Sequence, residues 1–354
     1  MNPDPDTTRT ANRHDTGGLP AIEEHDLPQG RHQFHKERLM SQIHDDRRTA
    51  ARPARNNPFL RKAILLSAAT ALAGALAVGV LALTPGDSDR PVDRATGPAL
   101  TTSLGVVDAK GAPRLLDRIS LAAAGAEVPN ARAGQYVYIE TRSANTYVKT
   151  VGGESSLVSY PLHTRQSWRS PDGLRGWLIE PGTTAPEGIT LEGRDENGNV
   201  PKPHLGAPSH DYLATLPTDP DALLRKIYKE TEGQGNGKDQ QAFTTIGDLL
   251  GESWPSPKLT AALYRAAAKI PGVVMVDSAT DAVGRKGVAV ARLDETGGQR
   301  TEWIFDSRTL TFLGERTVQA RGDGGEGGLI KPGTVVYTHA IMVRALVDDI
   351  KVVP

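Results

Sequence analysis

The chain has 354 residues, enough for one or two domains, and a formal net charge of −1 at pH 7. A balance this close to zero gives no reason to expect direct nucleic-acid binding, which depends on an excess of basic residues. The sequence contains no cysteine, which excludes disulfides, thiolate nucleophiles and cysteine-based zinc sites. Its 37 Gly and 25 Pro predict a globular part that is joined to linkers.

The first predicted element is a polar cytoplasmic tail, residues 1–62, mostly disordered but with a short helix near 27–46. This helix is marginal on its own, and two interpretations stay open for it: it lies on the anionic inner leaflet of the membrane, or it folds against a protein partner. Acidic residues at 37, 45 and 46 dilute its basic charge and favour the protein partner. The predicted partner-binding residues of the tail are Arg31, His32, Lys36, Leu39, Met40 and Ile43.

A transmembrane helix is predicted at residues 63–83, which contain no charged side chain and span about 30 Å as a helix. A cleaved signal peptide is the alternative, but the 62 residues in front are too many for one. Residues 31–62 carry nine Lys/Arg against three Asp/Glu, so the positive-inside rule places the N-terminus in the cytoplasm. The prediction is therefore a single-pass plasma-membrane protein whose larger part is extracytoplasmic.

After the span, residues 84–112 predict a flexible linker, because Pro, Gly, Asp, Thr and Ser dominate them. Residues 113–354 predict an extracytoplasmic α+β domain, a curved antiparallel sheet packed with helices. Its first segment, "APRLLDRISLAAAGAE", has helical periodicity, and the next, "GQYVYIETRSANTYV", alternates as a strand or hairpin does. A turn at Pro171-Asp172-Gly173 predicts a hairpin, and Asn197-Gly198 predicts a second turn.

The middle of this domain predicts a helical block, and its end predicts a meander of antiparallel strands. Asp219 before Pro220 and Ser256 before Pro257 are typical helix starts. Short breaks at 284–287, 296–298 and 306–308 fit hairpins, since parallel strands need longer crossover connections.

The search for chemistry in the sequence finds no catalytic centre. Residues 230–239 lack the Walker spacing, and His210-Asp211 has no nucleophile on a strained turn. His32 and His35 lack a third metal ligand. The sequence therefore predicts a protein that is not an enzyme and has neither a cofactor nor a metal site.

Tryptophans in the predicted strands are the remaining candidates for ligand contact. Packing in the core is the simpler interpretation for them. If the sheet curls, they line its concave face and form an apolar groove for a lipid or peptide. The residues of this predicted ligand face are Trp168, Trp177 and Trp303.

Five segments, in this order, resemble a known family: "LPQGRHQFHKERLMSQI", "LLDRISLAAAGAE…GQYVYIETR", "WRSPDGLRGWLIEPG", "LPTDPDALLRKIY" and "WIFDSRTLTFLGERTV". The chain resembles an uncharacterised family of actinobacterial single-pass membrane proteins, which are often encoded beside extracytoplasmic-function sigma factors. This resemblance implies a regulatory, anti-sigma-like role with a sigma factor as the cytoplasmic partner. The resemblance assigns no catalytic residue to this chain.

Two functions follow from these features. The first is a membrane-anchored, non-enzymatic sensor or regulator with an extracytoplasmic sensing domain. The alternative is an extracytoplasmic lipid- or peptide-binding module, because the outer domain is similar in layout to periplasmic sensor and lipoprotein-carrier domains, a likeness of fold alone.

Overall fold

In the computed structural model, the described residues are 98–151, 154–194, 198–325 and 328–354. The predicted tail (1–62) and membrane span (63–83) lie outside these ranges, and both stay predictions. Within the described ranges, no helix has the length and apolar character needed to cross a bilayer.

One antiparallel sheet of ten strands organises the described residues. The strands are β1 (Val107–Asp108), β2 (Tyr136–Val151), β3 (Glu154–Arg169), β4 (Arg175–Ile179), β5 (Ile189–Glu192), β6 (Val273–Thr280), β7 (Lys286–Leu293), β8 (Gln299–Asp306), β9 (Phe312–Gln319) and β10 (Val335–Val347). Their order across the sheet is β1-β6-β7-β8-β9-β10-β2-β3-β4-β5. The predicted meander is confirmed, since β6 to β10 are consecutive neighbours.

Five helices in the same ranges complete an α+β fold, which confirms the predicted class. They are α1 (Gly111–Ala124), α2 (His210–Ala214), α3 (Pro220–Glu230), α4 (Lys238–Glu252) and α5 (Pro257–Ala267). Apolar side chains of these helices form one buried cluster with one face of β6, β7 and β8. The helices therefore cover a single face of the sheet.

The helix starts follow the predicted capping chemistry. The Asp219 carboxylate accepts a hydrogen bond from the backbone N–H of Ala222 at 2.8 Å, and Pro220 occupies the first turn. The Ser256 hydroxyl accepts one from the N–H of Leu259 at 3.4 Å. Each cap satisfies an N–H that the helix itself leaves unpaired.

The predicted turn between β3 and β4 is also confirmed. The Asp172 carboxylate accepts hydrogen bonds from the Ser170 hydroxyl and from the backbone N–H of Leu174. Gly173 has φ = +76°, a value that glycine adopts at little cost. The hydrogen bond from Ser170 is the main reason why the pKa of Asp172 lies below its ordinary value.

The helix layer meets the sheet at a stack of two aromatic rings. Phe243 of α4 lies parallel to Trp303 of β8, with ring centroids 3.9 Å apart, and both side chains are fully buried. Gly247 follows one turn later, and a Cβ atom there would lie 2.6 Å from Trp303 Nε1 and from an oxygen of Glu315. Gly251 has the same relation to His339, at 3.0 Å from Nε2. This pair of glycines lets α4 approach the sheet closely.

A buried ion triplet lies on the other face of β8 and β9. Glu302 is fully buried, and its carboxylate oxygens lie 2.6 Å from Arg300 Nη2 and 2.7 Å from Arg316 Nε. Since successive residues of a strand point to opposite faces, Glu302 faces away from the helices that Trp303 contacts. Both arginines are needed, because an unpaired carboxylate at this depth is very costly.

Residues 98–108, the leading segment, cover this second face. The Leu100 carbonyl accepts a hydrogen bond from the N–H of Val335 at 2.7 Å, and the Thr102 hydroxyl accepts one from Arg316 at 3.0 Å. Val107 and Asp108 then pair with β6. The predicted linker, residues 84–112, thus includes residues that contact the sheet: from Leu100 onward the chain makes backbone hydrogen bonds that its polar composition does not reveal.

We expect Gly247→Ala to destabilise the domain by about 1–3 kcal/mol, because the added methyl group overpacks a contact with two sheet side chains. An exposed helical Gly→Ala change has the opposite sign and stabilises by about 1 kcal/mol. Gly251→Ala meets only one side chain, at 3.0 Å, and should have a smaller effect. The measurement is urea unfolding of the full-length chain, followed by emission of its four tryptophans, all of which lie between residues 168 and 303.

Gly125→Ala is the matched control, because an added Cβ at Gly125 comes no closer than 3.8 Å to another atom. If Gly247→Ala unfolds at the same urea concentration as Gly125→Ala, the close approach of α4 does not matter for stability.

Candidate functional site

A cleft lies between the helix-facing side of β2 and β3, the C-terminal end of α4 and the short helix α2. Its cavity volume is about 60 Å³. The lining combines apolar side chains with charged side chains of both signs. Among them are Val137, Ile139, Leu213, Leu249, Trp254, Arg165, Arg169, His210, Asp248 and Glu252.

Strand alternation decides which residues reach the cleft. In β2 the odd-numbered Val137 and Ile139 line it, and in β3 the odd-numbered Arg165 and Arg169 do. The segment "HTRQSWR" thus places its basic side chains on the side of the sheet that faces the helices. This alternation with a period of two is the signal in the sequence that predicts which basic side chains of β3 share a face.

The C-terminal end of α4 is held by side chains instead of by a glycine cap. The Arg344 guanidinium donates a hydrogen bond to the Leu250 carbonyl, and the Ser253 hydroxyl donates one to the Leu249 carbonyl at 2.5 Å. A cation at this position also interacts favourably with the helix dipole. Burial lowers the pKa of Arg344 to about 10, which leaves the group charged at neutral pH.

His339 of β10 lies beneath this helix end. Its side chain is 8% exposed, it approaches Gly251, and neither ring nitrogen has a hydrogen-bond partner among the described residues. Burial is the main reason why its pKa falls to about 4, and the positive charges of Arg344 and Arg165 add to the effect. The imidazole is therefore neutral at physiological pH and has one donor and one acceptor to offer.

Glu180 links the basic residues of β3. Its carboxylate is 3.4 Å from Arg165 Nε and 3.5 Å from His163 Nε2, and the residue is 3% exposed. Tyr337 lies in the same polar region, and burial, followed by the charges of Glu252 and Glu315, raises its pKa. The sheet thus holds a connected group of ionisable side chains at the edge of the cleft.

Ser143, His163 and Glu180 come together without forming a nucleophile relay. The Ser143 hydroxyl and the Glu180 carboxylate both lie 3.5 Å from the same atom, His163 Nε2, and Nδ1 lies 3.0 Å from the Pro161 carbonyl. In a serine relay the acid holds one ring nitrogen while the hydroxyl uses the other. This geometry gives the acid no role in orienting the ring. Among the described residues, no group of three or more His, Asp or Glu is arranged to hold a metal ion.

The tryptophans predicted as ligand contacts, Trp168, Trp177 and Trp303, do not line this cleft. Arg31, His32, Lys36, Leu39, Met40 and Ile43 lie outside the described residues. The three tryptophans do not share one face: Trp303 packs under α4, whereas Trp168 follows the cleft residue Ser167 and so faces the other way. The single concave face predicted for Trp168, Trp177 and Trp303 is therefore not formed.

We expect His339 to make the domain less stable in mild acid. The folded pKa of about 4 lies below the ordinary 6.5, so the unfolded chain binds the proton more readily. Stability is full above pH 6.5 and is lost as the pH falls towards 4, by about 3 kcal/mol in total from this group. His339→Leu should remove that part of the pH dependence in urea unfolding of the full-length chain.

The exposed His204→Gln is the control and should keep the wild-type slope. An unchanged slope in His339→Leu would show that the buried imidazole is not the group that titrates.

No protein-family model matches this chain, and a search of curated proteins finds no match. The case for a function therefore depends on the cleft and on the sequence features described above.

Proposed function

We propose that the chain is a membrane-anchored, non-enzymatic envelope regulator. Its tail contacts a cytoplasmic protein such as a sigma factor, and its outer α+β domain senses a ligand. The observation that carries the proposal is the cleft beside the C-terminal end of α4, which Arg165 and Glu252 line. His339, whose ring nitrogens have no hydrogen-bond partner among the described residues, lies against Gly251 at the same helix end. Buried polar groups without partners are rare, and each calls for an explanation such as a bound water, an ion or a functional role.

The lining of the cleft favours a peptide-like ligand. Arg165 and Glu252 bring both charge signs to one small space, beside the apolar Ile139 and Leu249. Peptides carry a carboxylate, amides and apolar side chains, which this lining complements.

The size of the cavity argues against a lipid. About 60 Å³ is far below the roughly 300–1,000 Å³ of pockets that enclose a drug-sized ligand. A side chain or a chain end fits this volume, and an acyl chain does not. The peptide form of the alternative function, an envelope binding module, therefore has more support than the lipid form.

Irregular pairing beside the cleft supports the curved form of the sheet. The register shifts between Ser143 and Asn145 in β2, and between Ile341 and Val343 in β10. Extra residues of this kind bend a strand and raise its twist. A bend here turns the helix-facing side chains of both strands towards α4.

We expect short peptides to bind the full-length protein in nanodiscs, and Arg165→Gln to weaken binding about tenfold by removing a charge-assisted hydrogen bond. Native mass spectrometry with a mixture of short peptides provides the measurement. Arg118→Gln, on the exposed side of α1, is the control and should bind as the wild type does.

Two results would contradict this site. One is equal peptide binding by wild type and Arg165→Gln. The other is co-purification of lipid, with no peptide retained.

We expect the double change Leu39→Asp and Ile43→Asp to abolish capture of the cytoplasmic partner, because both residues lie on the predicted apolar face of the tail helix. The measurement is a pull-down of sigma factors with full-length protein. Ser41→Asp with Gln42→Asp adds the same charge away from that face and should leave capture unchanged. Failure of the wild type to retain any sigma factor would contradict the regulatory role.

A further inference from the structure

The face of β2, β3 and β4 that points away from the helices carries an aromatic groove, formed by Tyr136, Tyr138, Trp168 and Trp177. Trp168 and Trp177 are directly opposite each other in the β3–β4 pair. Tyr138 is opposite Trp168 in the β2–β3 pair, with ring centroids 5.0 Å apart. Four large rings on adjacent strands thus form one continuous surface, on the opposite side of the sheet from the cleft.

Residues 348–354, the trailing segment with the sequence "DDIKVVP", occupy this groove. The Trp168 indole Nε1 donates a hydrogen bond to the Val352 carbonyl at 2.7 Å. Lys351 Nζ lies 3.8 Å from the centroid of the Trp177 ring, and Ile350 packs against the aromatic cluster. The segment therefore uses one backbone carbonyl, one cation over an indole and one aliphatic side chain.

The trailing segment is held loosely for a segment that covers such an apolar surface. Lys351 has φ = +66°, a left-handed conformation that is uncommon for a side-chain-bearing residue. Val352 is 46% exposed and Val353 is 53% exposed, so both aliphatic side chains remain largely in water. A permanent cover would be expected to bury these side chains and to avoid the unfavourable backbone angle.

The contacts of the segment define what else the groove accepts. A backbone carbonyl that accepts a hydrogen bond from the Trp168 indole is available in any peptide. The position over Trp177 requires a Lys or Arg, since the face of an indole attracts cations. The surrounding rings require an aliphatic neighbour.

We propose that the aromatic groove binds a peptide segment of another protein in which an aliphatic residue precedes a Lys or Arg, and that the trailing segment is the intramolecular competitor for this site. While the trailing segment occupies the groove, partners that bind weakly cannot enter it. A partner gains access in proportion to the fraction of molecules in which the trailing segment has left. The proposal is independent of the cleft and of the tail, because it concerns the opposite face of the sheet.

The test is binding of a fluorescent DDIKVVP peptide, followed by anisotropy, to the full-length chain and to a chain that lacks residues 350–354. The shortened chain should bind at least about tenfold more tightly, since the competitor occupies the groove in most wild-type molecules. A peptide with Glu at the position of Lys351 should lose about tenfold in affinity, as should the shortened chain with Trp177→Leu. Near-UV circular dichroism checks that the shortened chain is folded.

Lys351→Glu in the full-length chain is the second variant, because it removes the cation–ring contact and keeps every other residue. It should bind the DDIKVVP peptide more tightly than the wild type does. A folded shortened chain that does not bind the peptide would overturn the proposal, as would equal binding by wild type and Lys351→Glu. Wild-type dimers that disappear on removal of residues 350–354 would also overturn it, in favour of a second copy of the chain as the occupant.

Discussion

A ten-stranded sheet has two faces to bury, and a different part of the chain covers each face here. The helices cover one face through the stack of Phe243 on Trp303. The other face carries the buried carboxylate of Glu302 with its two arginines, and the leading segment contributes Thr102 to the same network. Because a buried charge without its partner costs about 3–5 kcal/mol, this face cannot simply be left open to rearrangement. The ion triplet and the leading segment that contacts it therefore form one part of the packing on this face.

Local chemistry explains the parts of the fold that the sequence predicts well. The caps at Asp219 and Ser256 and the turn at Asp172-Gly173 depend on residues within a few positions of one another. Signals of this kind are complete within a short window, so they identify helices, hairpins and their order. They contain no information on which strand faces which helix, so the sequence does not separate Trp303 from Trp168 and Trp177.

Covering both faces of β2 also hides the alternation that normally separates core from surface. Val137 and Ile139 are buried under the helices, and Tyr136 and Tyr138 are buried on the opposite side. A strand buried on both sides has apolar residues at successive positions, so the sequence predicts a strand but not its orientation. The composition of the leading segment does not predict that it packs on the sheet, because the backbone hydrogen bonds of Leu100 do not depend on an apolar pattern.

The cleft depends on the close approach of α4, and that approach depends on two glycines four residues apart. The spacing Gly247-x-x-x-Gly251 places both on one side of the helix, over Trp303 and over His339. It brings the Leu250 carbonyl of α4 to Arg344 and Gly251 close to the His339 ring. The buried polar residues of the site are thus far apart in sequence, and packing alone brings them together.

The cleft and the aromatic groove use opposite sides of the same two strands. In β3, Arg165 and Ser167 face the cleft, and Trp168 faces the groove. Ser167 is buried on the cleft side, and β2 pairs with β3 and β10, so we expect removal of the trailing segment to expose only the second side. Strands held by backbone pairing and by one packed face do not need the second cover to remain folded. The groove can therefore exchange its own segment for another peptide without loss of the sheet that supports the cleft.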